Sequence, residues 1–274
     1  MNPANMKILG EYKVNEKIKL PHTGDTKYSR ELFFKNTNMN LRQLLENRYS
    51  WMNNYIEENH VGIEVGAGTG IGKEFIKNKN FKLTDYFENE WLDIKNIDAL
   101  NTKFEDNSFD FVVSSNMIHH ISSPIKFLEE MSRILKPNGK LIIQEINCSY
   151  VTRLILALTN HEGYNYNIVN IFDRSIICND PNDLWSANTA IPNLLFDDAE
   201  KFHKNVTFFK IDFRENDEFI TFLNSGGVIA KVFYIPLPKI ILKAIHCFDK
   251  LISKLFPKIF AMQMQVVLSN TKLT

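Results

Sequence analysis

Residues 61–70, VGIEVGAGTG, hold types and spacings that can do chemistry. A short apolar run carries one acid, Glu64, and ends in three alternating glycines, Gly66, Gly68 and Gly70, with Ala67 between the first two. Glycine turns tightly and lets a ligand reach the backbone without meeting a Cβ. A helical pattern follows at 69–77, so amides at the turn can face an anionic group. Strand, glycine turn and helix make a nucleotide-type cofactor site at the C-terminal end of a parallel strand. The dinucleotide fingerprint G-x-G-x-x-G is absent, because its last position falls on Ile71 or Lys73. No Lys-Ser or Lys-Thr pair follows the turn, so the phosphate-loop pattern fails too.

The sequence downstream narrows the cofactor. Residues 81–86, FKLTDY, read as a second strand ending in Asp85. An acid about 20 residues past the first glycine suits a ribose, since a carboxylate accepts both hydrogen bonds of a cis-diol. Residues 96–121 and 123–145 then supply a strand opening at Ser108-Phe109-Asp110, a helix, and the turn and strand LKPNGKLII. In this order the motifs of 61–146 resemble class I S-adenosylmethionine-dependent methyltransferases with a type 11-like domain. The resemblance implies that Gly66, Ala67, Gly68 and Gly70 wrap the methionine part of S-adenosylmethionine. Glu64 would orient that loop or hold the amino group through water. Asp85 takes the ribose, Asp98 and Ala99 meet the adenine, and Ser114, Ser115 and Asn116 lie beside the methionine moiety. One departure is visible: few residues separate Asp85 from Trp91-Leu92-Asp93, where the family has a full helix. Tyr86, Phe87 or Trp91 is left to supply the apolar wall at the adenine.

Methyl transfer from a sulfonium is an in-line displacement with an already activated donor. Holding donor and acceptor in line can contribute about 7–11 kcal/mol, so no conspicuous nucleophile is required. A hydroxyl acceptor would gain from a general base, roughly 10²–10⁴-fold. The candidates at the C-terminal edge of the sheet are His119 and His120, after the fourth strand, and Glu145, at the end of the fifth. No third ligand stands at a recognisable spacing from the histidine pair, so no metal site is expected. His22, His161, Asp173 and His203 read as loop or surface residues.

The elements that must position these groups follow from periodicity. Strands are predicted near 61–65, 81–84, 109–115 and 140–145, with a weak one at 94–97, and helices near 69–77 and 124–135. Leu41, Leu44, Leu45, Tyr49, Met52 and Ile56 share one face of a helix over 41–58. Apolar strands alternating with helices indicate a parallel sheet covered on both faces. The expected fold is α/β: a Rossmann-like, doubly wound, seven-stranded sheet, mostly parallel with one antiparallel strand. Residues 206–213 and 263–268 are candidates for its final hairpin. Residues 1–40, polar and irregular in pattern, then form an N-terminal arm or flap, and 41–274 a single domain with its cofactor half at 41–146. Segments 147–205 and 214–261 are acceptor-side insertions, helical toward the C-terminus.

Composition sets limits. The 274 residues carry 32 basic and 32 acidic side chains, so no global positive field draws nucleic acid. Three scattered cysteines suggest neither a disulfide framework nor a metal knot, and the plain reading is a reducing compartment. The chain reads as cytoplasmic, without a signal-peptide pattern or a membrane-span run. Residues 228–260 hold six lysines against Asp249 alone, with an apolar stripe of Ile240, Ile241, Ala244, Ile245, Phe248, Ile252 and Leu255. Such a helix either packs its stripe on the domain or lies on an anionic membrane, here the inner membrane face.

The leading expectation is an S-adenosylmethionine-dependent methyltransferase acting on the oxygen of a small or lipid-linked acceptor. The tail resembles that of enzymes of bacterial surface-polysaccharide assembly, which implies a saccharide. Two other readings share the sheet: a catalytically silent binding module, and an NAD-dependent oxidoreductase, which the missing third glycine disfavours.

Overall fold

The computed structural model describes residues 10–14, 25–35, 38–229 and 232–272; His22 lies outside them. A short strand β1 (Glu11–Tyr12) precedes helices α1 (Thr26–Lys35) and α2 (Met39–Ser50). Asn38 caps α2, its side-chain oxygen accepting the Leu41 N–H at 3.1 Å. The sheet region holds β2 (Gly62–Val65), β3 (Phe81–Leu83), β4 (Phe109–Ser115), α3 (Pro124–Ile134) and β5 (Leu135–Ile146). After it come α4 (Tyr150–Thr159), β6 (Tyr164–Asn165), α5 (Ile191–Phe196), α6 (Ala199–Asn205) and β7 (Phe209–Asp217). The chain closes with α7 (Ile220–Leu223), α8 (Lys239–Leu255), α9 (Pro257–Phe260) and β8 (Gln263–Asn270).

The main sheet has the order β3-β2-β4-β5-β8-β7. Pairings β2–β3, β2–β4 and β4–β5 are parallel, and β8 runs antiparallel to both β5 and β7. This is the Rossmann-like, mostly parallel α/β sheet with one antiparallel strand. Alternation along each strand gives it two faces. Ile63, Val65, Val112, Leu141 and Ile143 meet Phe127, Leu128 and Met131 of α3 on one face. Phe111, Val113 and Ile142 meet Leu44, Leu45 and Met52 on the other. The long segment between β7 and β8 does not separate them, because their ladder runs from Phe209↔Asn270 to Asp217↔Gln263.

Three expectations need correction. Among the described residues the sheet has six strands, not seven: segment 94–97 makes only an isolated parallel bridge, Thr84↔Ile94, because the short crossover leaves no length for a strand. The helix expected at 69–77 contracts to a 3₁₀ turn, Ile71–Glu74. Gly72 packs against the Tyr49 ring there, and Asn53 takes the Lys77 N–H and donates to the Phe75 carbonyl, which ends the turn early. The N-terminal forty residues are not uniformly irregular, since β1 pairs with β6 and α1 is regular.

Sequence alone left α8 between packing on the domain and lying on a membrane surface. Its inward face carries Leu242, Asp249 and Ser253. The Asp249 carboxylate accepts the N–H groups of Phe219, Ile220 and Thr221 at 2.8–3.1 Å, tying α8 to the start of α7. Much of the apolar stripe therefore faces outward, with Ile240 79% and Leu255 60% exposed. Among the described residues no helix is long and apolar enough to cross a membrane.

Candidate active site

The chain leaves β2 through three glycines with positive φ. At Gly66, φ is +66°, and a Cβ would stand 2.4 Å from the Met117 Cγ, so the backbone admits no larger residue. At Gly68, φ is +51°, and a Cβ would meet nothing closer than 3.8 Å. Its bare backbone faces the cavity described below. The Gly68 N–H donates to Asp85 Oδ2 at 2.7 Å, and the Trp91 indole N–H donates to the Gly68 carbonyl at 3.0 Å. Asp85 Oδ1 takes the Phe87 N–H at 3.0 Å. One carboxylate thus joins the glycine turn to the end of β3. Gly70 packs on Trp91 and Leu83 below the turn.

Glu64 is buried under the same turn. The Tyr49 hydroxyl donates to its Oε1 at 3.0 Å, and its Oε2 has no hydrogen-bond partner among the described residues. Burial pushes its carboxyl up to about 8, against the lowering effect of the Tyr49 hydrogen bond. The unfolded chain releases this proton near pH 4.5 and the folded chain keeps it to about pH 8. Unfolding therefore releases a proton in that window, and stability falls as pH rises through it. Glu64→Gln mimics the protonated form. The variant should gain on wild type between pH 5 and pH 8.5 by on the order of 3 kcal/mol in urea unfolding. An equal wild-type-to-variant difference at both pH values would refute a protonated Glu64.

A cavity of about 1210 Å³ opens beside the turn. This exceeds the ~300–1,000 Å³ usual for one small ligand and leaves room for two molecules. Gly66, Ala67, Gly68, Asp85, Asp98 and Ala99 line it. So do Ser115, Asn116, His119 and His120. Glu64, Gly70, Ser114 and Glu145 do not; they stand behind the wall. Tyr86 and Phe87 also line the cavity, whereas Trp91 serves the glycine turn from outside. Trp185, which no sequence pattern marks, stacks on Phe87 with ring centroids 6.2 Å apart.

At the other end, the 3₁₀ turn Ile118–His120 presents two imidazoles, their rings 4.2 Å apart. Glu145 is fully buried and does not reach the cavity. It accepts the Ile118 N–H at 2.6 Å and pairs with His119 Nδ1 at 2.7 Å. His120 Nδ1 lies 3.2 Å from the Ser186 carbonyl. Asn179 and Asn188 donate to the His119 carbonyl at 2.8 and 2.9 Å, so the segment after β5 grips this turn. That segment also delivers Glu162, whose carboxylate lies 3.5 Å from His119 Nε2, 3.9 Å from His120 Nε2 and 3.4 Å from His161 Nε2. His161 is therefore part of a cluster, while Asp173 and His203 stay apart from it. The sequence offered no third donor beside the histidine pair; the fold supplies one from about forty residues away.

Burial alone would lower His119, but the carboxylates of Glu145 and Glu162 outweigh it and hold it at about 10. Burial and the adjacent His119 lower His120 to about 4. Burial would raise Glu162, yet the three histidines pull it well below the usual carboxylate range. The two neighbouring histidines thus carry different charges at neutral pH.

The sheet order, the glycine turn and the acid at the end of β3 make a Rossmann-like α/β domain with a candidate cofactor site at the C-terminal edge of its strands. Residues 63–143 match the family model described as "Methyltransferase domain". A highly reducing polyketide synthase of Pyrenophora dematioidea is 40% identical over 81 residues, covering 29% of this chain and 3% of that one. A demethylmenaquinone methyltransferase of Renibacterium salmoninarum is 34% identical over 79 residues, covering 25% and 33%. A SAM-dependent methyltransferase of known structure from Thermotoga maritima is 16% identical and covers 92% of this chain and 99% of its own, with a TM-score of 0.49. The chain spans about a third or less of the length of the curated relatives it matches. The cofactor such a domain implies is S-adenosylmethionine. The residues present fit it: a strip of backbone without Cβ atoms at Gly66 and Gly68, and a carboxylate at Asp85, border the same cavity.

Proposed function

We propose that this chain is an S-adenosylmethionine-dependent methyltransferase that methylates an oxygen of a small or lipid-linked acceptor such as a saccharide. One observation carries the reading: a single cavity joins the glycine turn, Asp85 and Asp98 to the polar cluster at His119 and His120. Gly66 and Gly68 hold the methionine portion of the cofactor, Asp85 its ribose, and Asp98 and Ala99 its adenine. Ser115 and Asn116 stand between the two ends. The cofactor supplies the activated methyl group; the protein aligns it and excludes water. His119 and His120 belong to the acceptor side, and Glu145 positions His119 from behind the wall.

Residues 11–14 and Thr26 also line the cavity, and Arg30 donates to the Thr69 carbonyl at 2.8 Å. These contacts support the N-terminal segment as a flap over the cofactor. Support for peripheral membrane contact comes from 228–260. Phe233 is 87% exposed, and the outward face of α8 presents Ile240, Ile241, Phe248, Leu251 and Leu255. Lys243, Lys250, Lys254 and Lys258 are exposed on the same segment, while its one acid, Asp249, is turned inward. Each such lysine adds about 1 kcal/mol near an anionic leaflet. Leu223, Val228, Val232 and Phe233 line the cavity as well, which gives a lipid-linked acceptor a path from that face.

Two measurements test this. Tritium from labelled S-adenosylmethionine should enter saccharide or glycolipid extracts; tight cofactor binding with label in no acceptor would favour a silent binding module instead. The full chain should pellet with phosphatidylserine-rich vesicles, and Ile240→Ser with Leu251→Ser should lower the bound fraction at least fivefold. Equal pelleting with neutral vesicles, or by the double variant, would remove the membrane contact.

A further inference from the structure

The histidine end of the cavity has a geometry that acid–base chemistry does not need. His119 Nε2, His120 Nε2 and a Glu162 oxygen come from two distant parts of the chain, and all lie within 4.8 Å of one another. The shortest separations are 3.5 Å from His119 Nε2 to Glu162 Oε2 and 3.9 Å from His120 Nε2 to Glu162 Oε1. Donors around a tetrahedral ion at ~2.0–2.1 Å stand roughly 3.3 Å apart, so small side-chain shifts would close the set on one ion. Each imidazole has its other nitrogen engaged. His119 Nδ1 meets the Glu145 carboxylate at 2.7 Å, and His120 Nδ1 meets the Ser186 carbonyl at 3.2 Å. Carboxylate and backbone-carbonyl partners at the remote nitrogen are what orient ligating histidines, fixing the tautomer that leaves Nε2 to the metal.

We propose that His119, His120 and Glu162 bind one divalent transition-metal ion of the zinc type, with a coordination position open to the cavity. Two imidazoles and one carboxylate favour such an ion over magnesium or calcium, which take oxygen donors. The ion would displace the proton of His119, and the Glu162 carboxylate with the Glu145 carboxylate behind it would then balance the 2+ charge in a buried place. His161 Nε2, 3.4 Å from Glu162, is within reach as a further donor.

The role of the ion rests on the methyltransferase reading; its binding does not. Bound at the open position, an acceptor hydroxyl loses its proton to solvent more readily. The oxygen lone pair then forms the O–CH₃ bond as the C–S bond breaks. The electron pair of that bond stays on sulfur, and the sulfonium becomes a neutral thioether. Met117, two residues before His119, packs against Gly66, which places the cluster beside the methionine end of the cofactor site.

The test uses the full chain, stripped with chelator and titrated with Zn²⁺ alone, and with Co²⁺ as a visible probe. One equivalent should bind, and the Co²⁺ complex should show the visible bands of a four- or five-coordinate site. His120→Ala and Glu162→Gln should each weaken binding at least tenfold, and Glu145→Gln by 10–100-fold without touching the ion. S-adenosylhomocysteine titration on the same samples reports whether each variant is folded. Failure of Zn²⁺, Co²⁺ and Mn²⁺ to bind above the level of a His119→Ala/His120→Ala variant would overturn the site. Mg²⁺ binding as tight as Zn²⁺ would overturn the choice of ion. Metal binding without S-adenosylhomocysteine binding would refute the cofactor reading and leave the site standing.

Discussion

Asp85→Ala should weaken binding of S-adenosylmethionine and S-adenosylhomocysteine about a hundredfold or more. The carboxylate has two tasks here. It accepts the Gly68 N–H at 2.7 Å and the Phe87 N–H at 3.0 Å, fixing the turn that approaches the ligand. It also borders the cavity, where it can accept the ribose hydroxyls. Hydrogen bonds to a charged group contribute about 1.5–3 kcal/mol each, and a factor of 100 needs about 2.8 kcal/mol. Asp85→Asn should not rescue binding, because its amide nitrogen would face one of the two N–H donors. Calorimetry with S-adenosylhomocysteine gives the answer, with the melting temperature as a check on folding. A folded Asp85→Ala protein with unchanged affinity would remove the ribose role and much of the case for the cofactor.

What the sequence revealed and what it hid follow from the range of the interactions. Strand β4 falls on the predicted residues because alternation and β-branched content are local signals. The glycines were legible because backbone geometry at 66 and 68 excludes other residues within a few positions. The missing seventh strand was foreshadowed by the short crossover after Asp85. Glu162 left no trace, because its partners His119 and His120 lie across a helix and a sheet edge, and no spacing rule links them. The orientation of α8 stayed open for another reason. Reading the apolar stripe as a packing face assumes that burial of apolar area decides how a helix sits. Here the buried Asp249 carboxylate satisfies three backbone N–H groups at the start of α7. Leaving them unpaired would cost about 1–3 kcal/mol each, enough to turn the polar side inward while the apolar side remains exposed. Evolution of such a helix makes sense if the exposed side meets something apolar, as a membrane surface is at its acyl boundary.

The same limit on local reading hid a buried ion pair with a large expected effect on stability. Arg48 on α2 and Glu218 after β7 form a bidentate pair, with both N–H···O distances 2.8 Å and both side chains buried. Burial raises the Glu218 pKa, Arg48 opposes that, and Asp217 and Asp249 raise it further. Arg48 is thus the cation that holds the Glu218 carboxylate in this corner beside Asp217 and Asp249. Removing one partner of a buried pair costs about 3–5 kcal/mol, because the other charge is left uncompensated. Arg48→Met should therefore lower the unfolding free energy by that amount at pH 8, and the melting temperature by roughly 10 °C. The loss should depend on pH. With Arg48 gone, the folded-state pKa of Glu218 climbs further above its unfolded value near 4.5. The folded chain then holds a proton that the unfolded chain has released, so the penalty grows as pH rises from the unfolded pKa and levels off above the folded one. The variant should be closer to wild type at pH 5 than at pH 8. Arg48→Met combined with Glu218→Met should recover most of the loss at both pH values, since apolar residues of similar volume remove the buried charge altogether. If the single variant loses equal stability at pH 5 and pH 8, and the double variant recovers nothing, the pair acts through packing and not through charge.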